Sequence, residues 1–406
     1  MAVGPETVTP TLHPVAGVRL ATVSAGIKTS GRRDLVVMEL APGSRVAGVF
    51  TRNAFCAAPV ILCREHLAQK SPRWLVTNTG NANAGTGDGG REDALTVCRS
   101  LAELTGSDLA EVLPFSTGVI GQPLPAEKIT AALPDALSGL REDGWLDAAH
   151  GIMTTDTRPK AWSDRFLADG SEVTITGLSK GAGMIKPNMA TMLAYVATDA
   201  TVAPALLQRL VSELNEHSFN RITVDGDTST NDSLVLVATG QGAARFEHGN
   251  EAGFEAFRAR LEACFVYLAQ AIIRDGEGAT KFVEVRIEGG ATADECRQVA
   301  FTVAESPLIK TALFASDPNW GRILAAIGRS GVADLDVARV SVFINDILIA
   351  ERGAVAAGYT EAQGQAAMDP EDIVIRIDLG RGDCRDRVWT TDLSYDYVRI
   401  NAEYRT

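Results

Sequence analysis

The sequence has no apolar run approaching the roughly 20 residues that a bilayer-spanning helix needs, so no helical membrane anchor is expected. Met1 to Pro14 lacks the basic stretch and apolar core of a secretory signal, and the expectation is a cytoplasmic protein. Histidine is scarce. His13, His66, His150, His217 and His248 are dispersed, with no HExxH or HxH spacing, so the sequence supports neither a metal site nor a histidine-based triad. Six cysteines (Cys56, Cys63, Cys98, Cys264, Cys296 and Cys384) form no CxxC pair and no regular framework, which argues against a zinc site and against a disulfide scaffold. A basic excess is also missing: 38 Lys plus Arg stand against 51 Asp plus Glu, a net charge of −13. Nucleic acid and anionic lipid are bound through basic faces, so neither partner is expected. A local pocket for one small anion is compatible with that balance.

What is present is the composition of an ordinary globular protein, 46% hydrophobic and 22% charged. A length of 406 residues is enough for two or three packed units. Helical and strand patterns alternate. Residues 91–104 put Leu95, Cys98, Leu101 and Ala102 on one helical face, and 202–215 do the same with Leu206, Leu210, Val211 and Leu214. Residues 251–274 predict a longer helix with Leu261, Cys264, Phe265, Leu268 and Ile272 as its buried stripe. Short, often β-branched apolar segments at 34–39, 74–77, 234–238, 282–287 and 340–344 predict strands. Ile373, Ile375 and Ile377 alternate with Val374, Arg376 and Asp378, as in a strand with one more polar face. An α+β or layered α/β fold follows, without a strand order.

The 38 glycines cluster. Residues 78–90 read Asn-Thr-Gly-Asn-Ala-Asn-Ala-Gly-Thr-Gly-Asp-Gly-Gly, rich in the two residue types that accept positive φ. A long irregular loop, or a backbone-lined pocket, is the expectation there rather than strand or helix.

One segment carries chemistry. Residues 180–199 run from a Gly-rich, Pro-containing approach, Lys180-Gly-Ala-Gly-Met-Ile-Lys-Pro-Asn-Met-Ala-Thr191, into an apolar strand-like stretch. A threonine in such a place is ordinarily a β-branched packing residue. A cut between Ala190 and Thr191 gives it another role. Thr191 would then own a free α-amine with a reference pKa of about 7.7–8.0, one residue's reach from its hydroxyl and able to act as its general base. Small Ala190 would leave the scissile carbonyl open to Thr191 Oγ.

This stretch resembles the processing site of the ornithine acetyltransferase (glutamate N-acetyltransferase) family of arginine biosynthesis. Further segments fit that family in order: Asn78-Thr-Gly-Asn-Ala-Asn-Ala, Ser116-Thr-Gly-Val-Ile-Gly, Met153-Thr-Thr-Asp-Thr, Val224-Asp-Gly-Asp-Thr-Ser-Thr-Asn-Asp, Asp275-Gly-Glu-Gly-Ala-Thr-Lys, Asp317-Pro-Asn-Trp-Gly-Arg and the end of the chain from Asp396. Ala182 stands where many members have Ser, at a position with no proposed catalytic role. The resemblance implies a layered α/β (α+β) fold of the ornithine acetyltransferase and DmpA-like, N-terminal-nucleophile-like type. It implies an α chain 1–190 and a β chain 191–406 that intertwine into a larger αββα-like domain and a smaller C-terminal one, pairing as an α2β2 heterotetramer. Thr191 is then the nucleophile, with its α-amine as base, and Thr117 and Gly118 form the oxyanion hole. Substrate contacts map to Thr154 (less securely separated from Thr155), Lys180, Thr191, Glu277, Asn401 and Thr406. N-acetylornithine offers a carboxylate and a side-chain ammonium, which suit Lys180 and Glu277. The implied reaction moves acetyl from N2-acetylornithine to glutamate with no metal or organic cofactor. Acetyl-CoA, a donor for some members, is an open co-substrate, since no phosphate cradle decides it. Two other readings remain: a self-processing aminopeptidase of the related fold, and an uncleaved metabolite-binding protein.

Overall fold

The computed structural model describes residues 2–4, 11–28, 31–186 and 192–403. Ala190, Thr191 and Thr406, three of the positions singled out by sequence, lie outside the described residues. Two sheets are stacked face to face. The first runs Val18–Val23, Leu35–Leu40, Trp74–Asn81, Val112–Val119, with only the last pair parallel. The second runs Arg45–Phe50, Ser233–Ala238, Leu193–Thr198, Ser171–Lys180, Lys160–Ala168, parallel only between Ser233–Ala238 and Leu193–Thr198.

The pleat divides each strand between two cores. In the first sheet Val36, Met38 and Leu40 point inward to meet Leu193, Tyr195, Val235 and Val237 of the second sheet. Leu35 and Val37 point the other way, onto Val97, Leu101, Ile129 and Leu133 of helices Gly87–Thr105 and Ala126–Ser138. The outward residues of the second sheet, Val196, Leu234 and Leu236, pack on Leu206 and Leu210 of helix Pro204–Glu216 and on Phe265 and Leu268 of helix Phe254–Arg274. The result is a helix–sheet–sheet–helix sandwich. Burial on both faces is why its strands read as nearly continuous apolar runs. Truncating a fully buried leucine such as Leu268 to alanine in such a core typically costs about 2–5 kcal/mol.

A second unit follows, with a six-stranded sheet in the order Ala354–Val355, Ile347–Glu351, Ser341–Ile344, Asp372–Asp378, Phe282–Gly290, Cys384–Thr391. Helices Ala293–Ala304, Pro307–Phe314 and Trp320–Gly328 share its core. Ile373, Ile375 and Ile377 are buried and their alternates are partly exposed, as their spacing predicts. The three predicted helices form with shifted ends, at Gly87–Thr105, Pro204–Glu216 and Phe254–Arg274. Left-handed Gly106 ends the first, and Pro204 at the first position starts the second.

The expectation for residues 78–90 is corrected. Strand Trp74–Asn81 continues through the polar residues, and helix Gly87–Thr105 begins inside the glycine cluster, leaving only 82–86 irregular. Asn78 to Gly80 pair in parallel register with Ser116 to Gly118. Their side chains make the burial tolerable. Ser116 Oγ donates to Asn78 Oδ1 at 2.5 Å, Asn78 Nδ2 donates to the Asn81 carbonyl at 2.9 Å, and Asn81 Nδ2 to the Pro123 carbonyl at 2.9 Å.

Candidate active site

Two strand ends converge where the sheets meet the C-terminal unit. Thr117 and Gly118 come from the end of Val112–Val119, and Lys180 is the last residue of Ser171–Lys180. Between them lies a cavity of about 230 Å³, which Thr154, Thr155, Glu277 and Asn401 also line. Five separated stretches of sequence thus meet. Lys180 is the register partner of Leu193, so strands Ser171–Lys180 and Leu193–Thr198, which precede and follow the Ala190–Thr191 bond in sequence, are neighbours in the sheet. Met192, which follows Thr191 in sequence, lines the same cavity, and its carbonyl accepts from the Ser233 N–H at 2.9 Å. Of the expected residues, Thr117, Gly118, Thr154, Lys180, Glu277 and Asn401 are brought together.

Lys180 Nζ donates to Thr154 Oγ1 at 2.7 Å and to Thr117 Oγ1 at 3.1 Å. Thr154, rather than Thr155, is therefore the neighbour bonded to this ammonium. Burial pushes the Lys180 ammonium below the ordinary lysine range, opposed by the Asp156 carboxylate, deepened by Lys160 and again opposed by Asp232 and Glu277. Glu277 is equally buried, on the turn between helix Phe254–Arg274 and strand Phe282–Gly290. Its carboxylate accepts from Asn401 Nδ2 at 2.8 Å, and its N–H donates to the Ala182 carbonyl at 2.8 Å. The substituted position therefore contributes a backbone group, which Ala supplies as well as Ser. The pocket presents one buried cation, Lys180, and two buried carboxylates, Glu277 and Asp232, charges of both signs that can meet a zwitterionic amino acid.

Two glycines of the motifs have steric reasons. A Cβ on Gly183 would stand 2.3 Å from Glu277 Oε2, so the carboxylate packs directly over that backbone. Gly118 has φ of +136°, and a Cβ there would meet the Gly80 carbonyl carbon at 2.3 Å.

Several pocket supports escaped the sequence reading. Asp156 accepts from the Gly181 N–H at 2.7 Å and the Thr154 N–H at 2.9 Å. Burial pushes its pKa upward, but Lys160 and Lys180 outweigh that and hold it well below the usual carboxylate range. Asn231 Nδ2 donates to the carbonyls of Ala82 at 2.5 Å and Ser116 at 2.9 Å, tying the two sheets just behind Thr117. Asp225 accepts from the N–H groups of Met184 at 2.6 Å and Ile185 at 2.9 Å. It thereby holds a turn in which Met184 adopts a left-handed φ of 55°. Asp156, Asn231 and Asp225 lie within the quoted motifs, which was the available signal. Lys160 had none.

The ArgJ family profile matches residues 19–406. The arginine biosynthesis bifunctional protein ArgJ of Pseudomonas fluorescens (strain Pf0-1) is 61% identical over 98% of both chains. Its counterpart in Psychrobacter arcticus is 54% identical over 100% of both. Among solved structures, arginine biosynthesis bifunctional protein argJ from Bacillus halodurans matches at a TM-score of 0.48 and 38% identity, covering 50% of this chain and 95% of that one. Ornithine acetyltransferase complexed with ornithine from Mycobacterium tuberculosis matches at 0.38 and 34%, covering 44% and 94%. Among the described residues no helix is long and apolar enough to cross a membrane.

Proposed function

The chain belongs to the ArgJ family, and we propose that it is a self-processing acetyltransferase that moves acetyl from N2-acetylornithine to glutamate. Cleavage between Ala190 and Thr191 would give chains 1–190 and 191–406, pairing as α2β2 in the cytoplasm. Thr191 Oγ attacks the acetyl carbonyl while its α-amine takes the hydroxyl proton. Thr117 and Gly118 hold the oxyanion, the C–N bond breaks, and the ornithine α-nitrogen leaves with the proton. The glutamate α-amine then attacks the acetyl-Thr191 ester, giving N-acetylglutamate and restoring the Thr191 hydroxyl. Each half conserves its atoms and uses only the two amino acids, so the reading needs no cofactor. Loss of one oxyanion donor typically costs about 10²–10³ in rate.

The observation that carries the reading is that buried Lys180 and buried Glu277 line one cavity beside Thr117 and Gly118. A substrate carboxylate suits Lys180 and a side-chain ammonium suits Glu277. Thr154 and Asn401 flank these two groups, and Thr406 completes the proposed set.

Denaturing electrophoresis of the purified protein tests the processing. Two bands, the second starting at Thr191 by N-terminal sequencing, are expected. Thr191→Ala should leave one uncut band and no ornithine release, and Thr191→Ser should retain part of both. A wild-type chain that stays intact through prolonged incubation sinks the mechanism, and peptide products in place of ornithine favour the aminopeptidase. Growth rescue of a strain lacking the acetyl-CoA-dependent synthase decides whether acetyl-CoA also serves as donor, the amino-acid N-acetyltransferase activity.

A further inference from the structure

Behind the pocket lies a cluster of three charges, all at most 1% exposed in their side chains: Lys160 Nζ stands 2.6 Å from Asp156 Oδ1 and 2.6 Å from Asp275 Oδ2. Buried ion pairs are a poor source of stability, because desolvation offsets most of the attraction, and a well-packed apolar replacement is often neutral or better. The remaining contacts of the two carboxylates indicate another use. Asp156 binds the N–H groups of Thr154 and of Gly181, the residue after Lys180. Asp275, two residues before Glu277, accepts from the Thr157 hydroxyl and from the Thr157 N–H at 3.0 Å. One carboxylate is therefore anchored to the backbone that presents the pocket's cation. The other begins the turn that presents its anion. Lys160 joins them.

We propose that the Asp156–Lys160–Asp275 cluster is a positioning unit that fixes the separation of Lys180 from Glu277, and with it the length of diamino acid the pocket accepts. The inference rests on the acetyltransferase reading of the pocket. The physical case is charge balance. Without the Lys160 ammonium, two buried carboxylates face each other with only the charge of Lys180 left near Asp156, and like charges in a shared dry site push apart or take up a proton. Either response loosens the link between residues 154–157 and 275–277. A pocket that reads a zwitterion at both ends discriminates chain length only while those ends are held at a fixed distance. A misplacement of about 1 Å can cost on the order of 10²-fold. Lys160 also acts on its neighbour electrostatically. Its positive charge adds to the lowering of the Lys180 ammonium.

The test compares wild type and Lys160→Met on N2-acetylornithine and on its homologues one methylene shorter and longer, with electrophoresis confirming processing of both proteins. Wild type should prefer the ornithine length. The variant should lose about 10²-fold in kcat/KM for that length, chiefly through KM, and less for the homologues, so the preference narrows by at least about 10-fold. The alkaline limb of its pH profile should also move to higher pH, since a like charge beside Lys180 is gone. Equal losses on all three lengths, with an unmoved limb, overturn the proposal and leave the cluster a structural element. If Lys160→Met fails to fold, Thr157→Val removes one hydroxyl bond to Asp275 and keeps all three charges. A narrowing of roughly 2–5-fold is expected, and an unchanged preference overturns the proposal. A wild type that releases no diamino acid from any of the three overturns the acetyltransferase reading itself, which separates the two failures.

Discussion

Lys180 stands at the end of a central strand, with Asp156 and Lys160 packed behind it, whereas Glu277 stands on a turn and is held from the far side by the C-terminal helix Tyr395–Ala402, which buries none of its residues. Both groups are buried, but they are buried by different means. The cationic end is fixed by the sandwich and its charge cluster, contacts that unfold only with the domain. The anionic end shares that cluster at its backbone, through Asp275 two residues before Glu277, but on its outer side it depends on a few side-chain bonds from an exposed helix: Asn401 to Glu277, Ser394 Oγ to the Gly278 carbonyl at 2.6 Å, and Tyr397 to Asp225. One end of the pocket is preorganised, and the other is completed by the end of the chain. Mutations at the first should therefore act on the chemistry and its pH dependence, and those at the second on substrate capture.

The largest effect is expected at the cationic end. On the proposed reading, Lys180→Met would leave the substrate carboxylate without its partner in a buried site, a loss of about 3–4 kcal/mol or on the order of 10²–10³ in kcat/KM. The pH profile gives a sharper readout. Lys180 must hold its proton to pair a carboxylate, and burial lowers the pH at which that proton is lost. Activity that needs the ammonium is full below its pKa and falls as pH rises through it, at a lower pH than an ordinary lysine would impose. In the proposed mechanism the acid limb would belong to the Thr191 α-amine, which must be neutral. The variant should keep the acid limb and lose the alkaline one. A profile unchanged in both limbs would remove Lys180 from the role.

At the anionic end, Asn401→Ala removes a single neutral donor from Glu277, worth about 1 kcal/mol. A rise of roughly 3–10-fold in KM for N2-acetylornithine, with kcat nearly unchanged, is expected in steady-state assays. A fall in kcat with constant KM would mean that the helix serves the transition state, and the contrast between the two ends would collapse.

The same contrast explains what could be read from sequence. Strands buried on both faces announce themselves, because Leu234 to Ala238 must be apolar whichever core each residue faces. Helix Phe254–Arg274 shows its stripe for a similar reason. Asn78 to Asn81 misled, since their strand is satisfied by side chains whose partners, such as Ser116, lie 38 residues away. The candidate site residues inside long motifs were named through the resemblance. Lys160 was not, because its burial depends on Asp275, 115 residues distant, and an isolated lysine otherwise reads as surface.

The smallest expected effect tests whether the exposed helix is held by the sum of its contacts or by one of them. Tyr397 OH donates to Asp225 Oδ2 at 3.3 Å, a long bond, and that carboxylate keeps the Met184 and Ile185 N–H groups when the phenol is gone. Burial, and then the charge of Asp225, hold the phenol well above its ordinary pKa, so it donates across the whole working range and no pH step should accompany its loss. Tyr397→Phe keeps the ring packed against the sandwich core. The expected cost is about 0.5–1 kcal/mol of helix docking, read as less than roughly a 3-fold rise in KM and faster amide exchange over 395–402. If Tyr397→Phe matched Asn401→Ala in KM, the grip on Glu277 would run through Asp225 and the turn at Met184. The anionic end would then be as firmly tied to the sandwich as the cationic one.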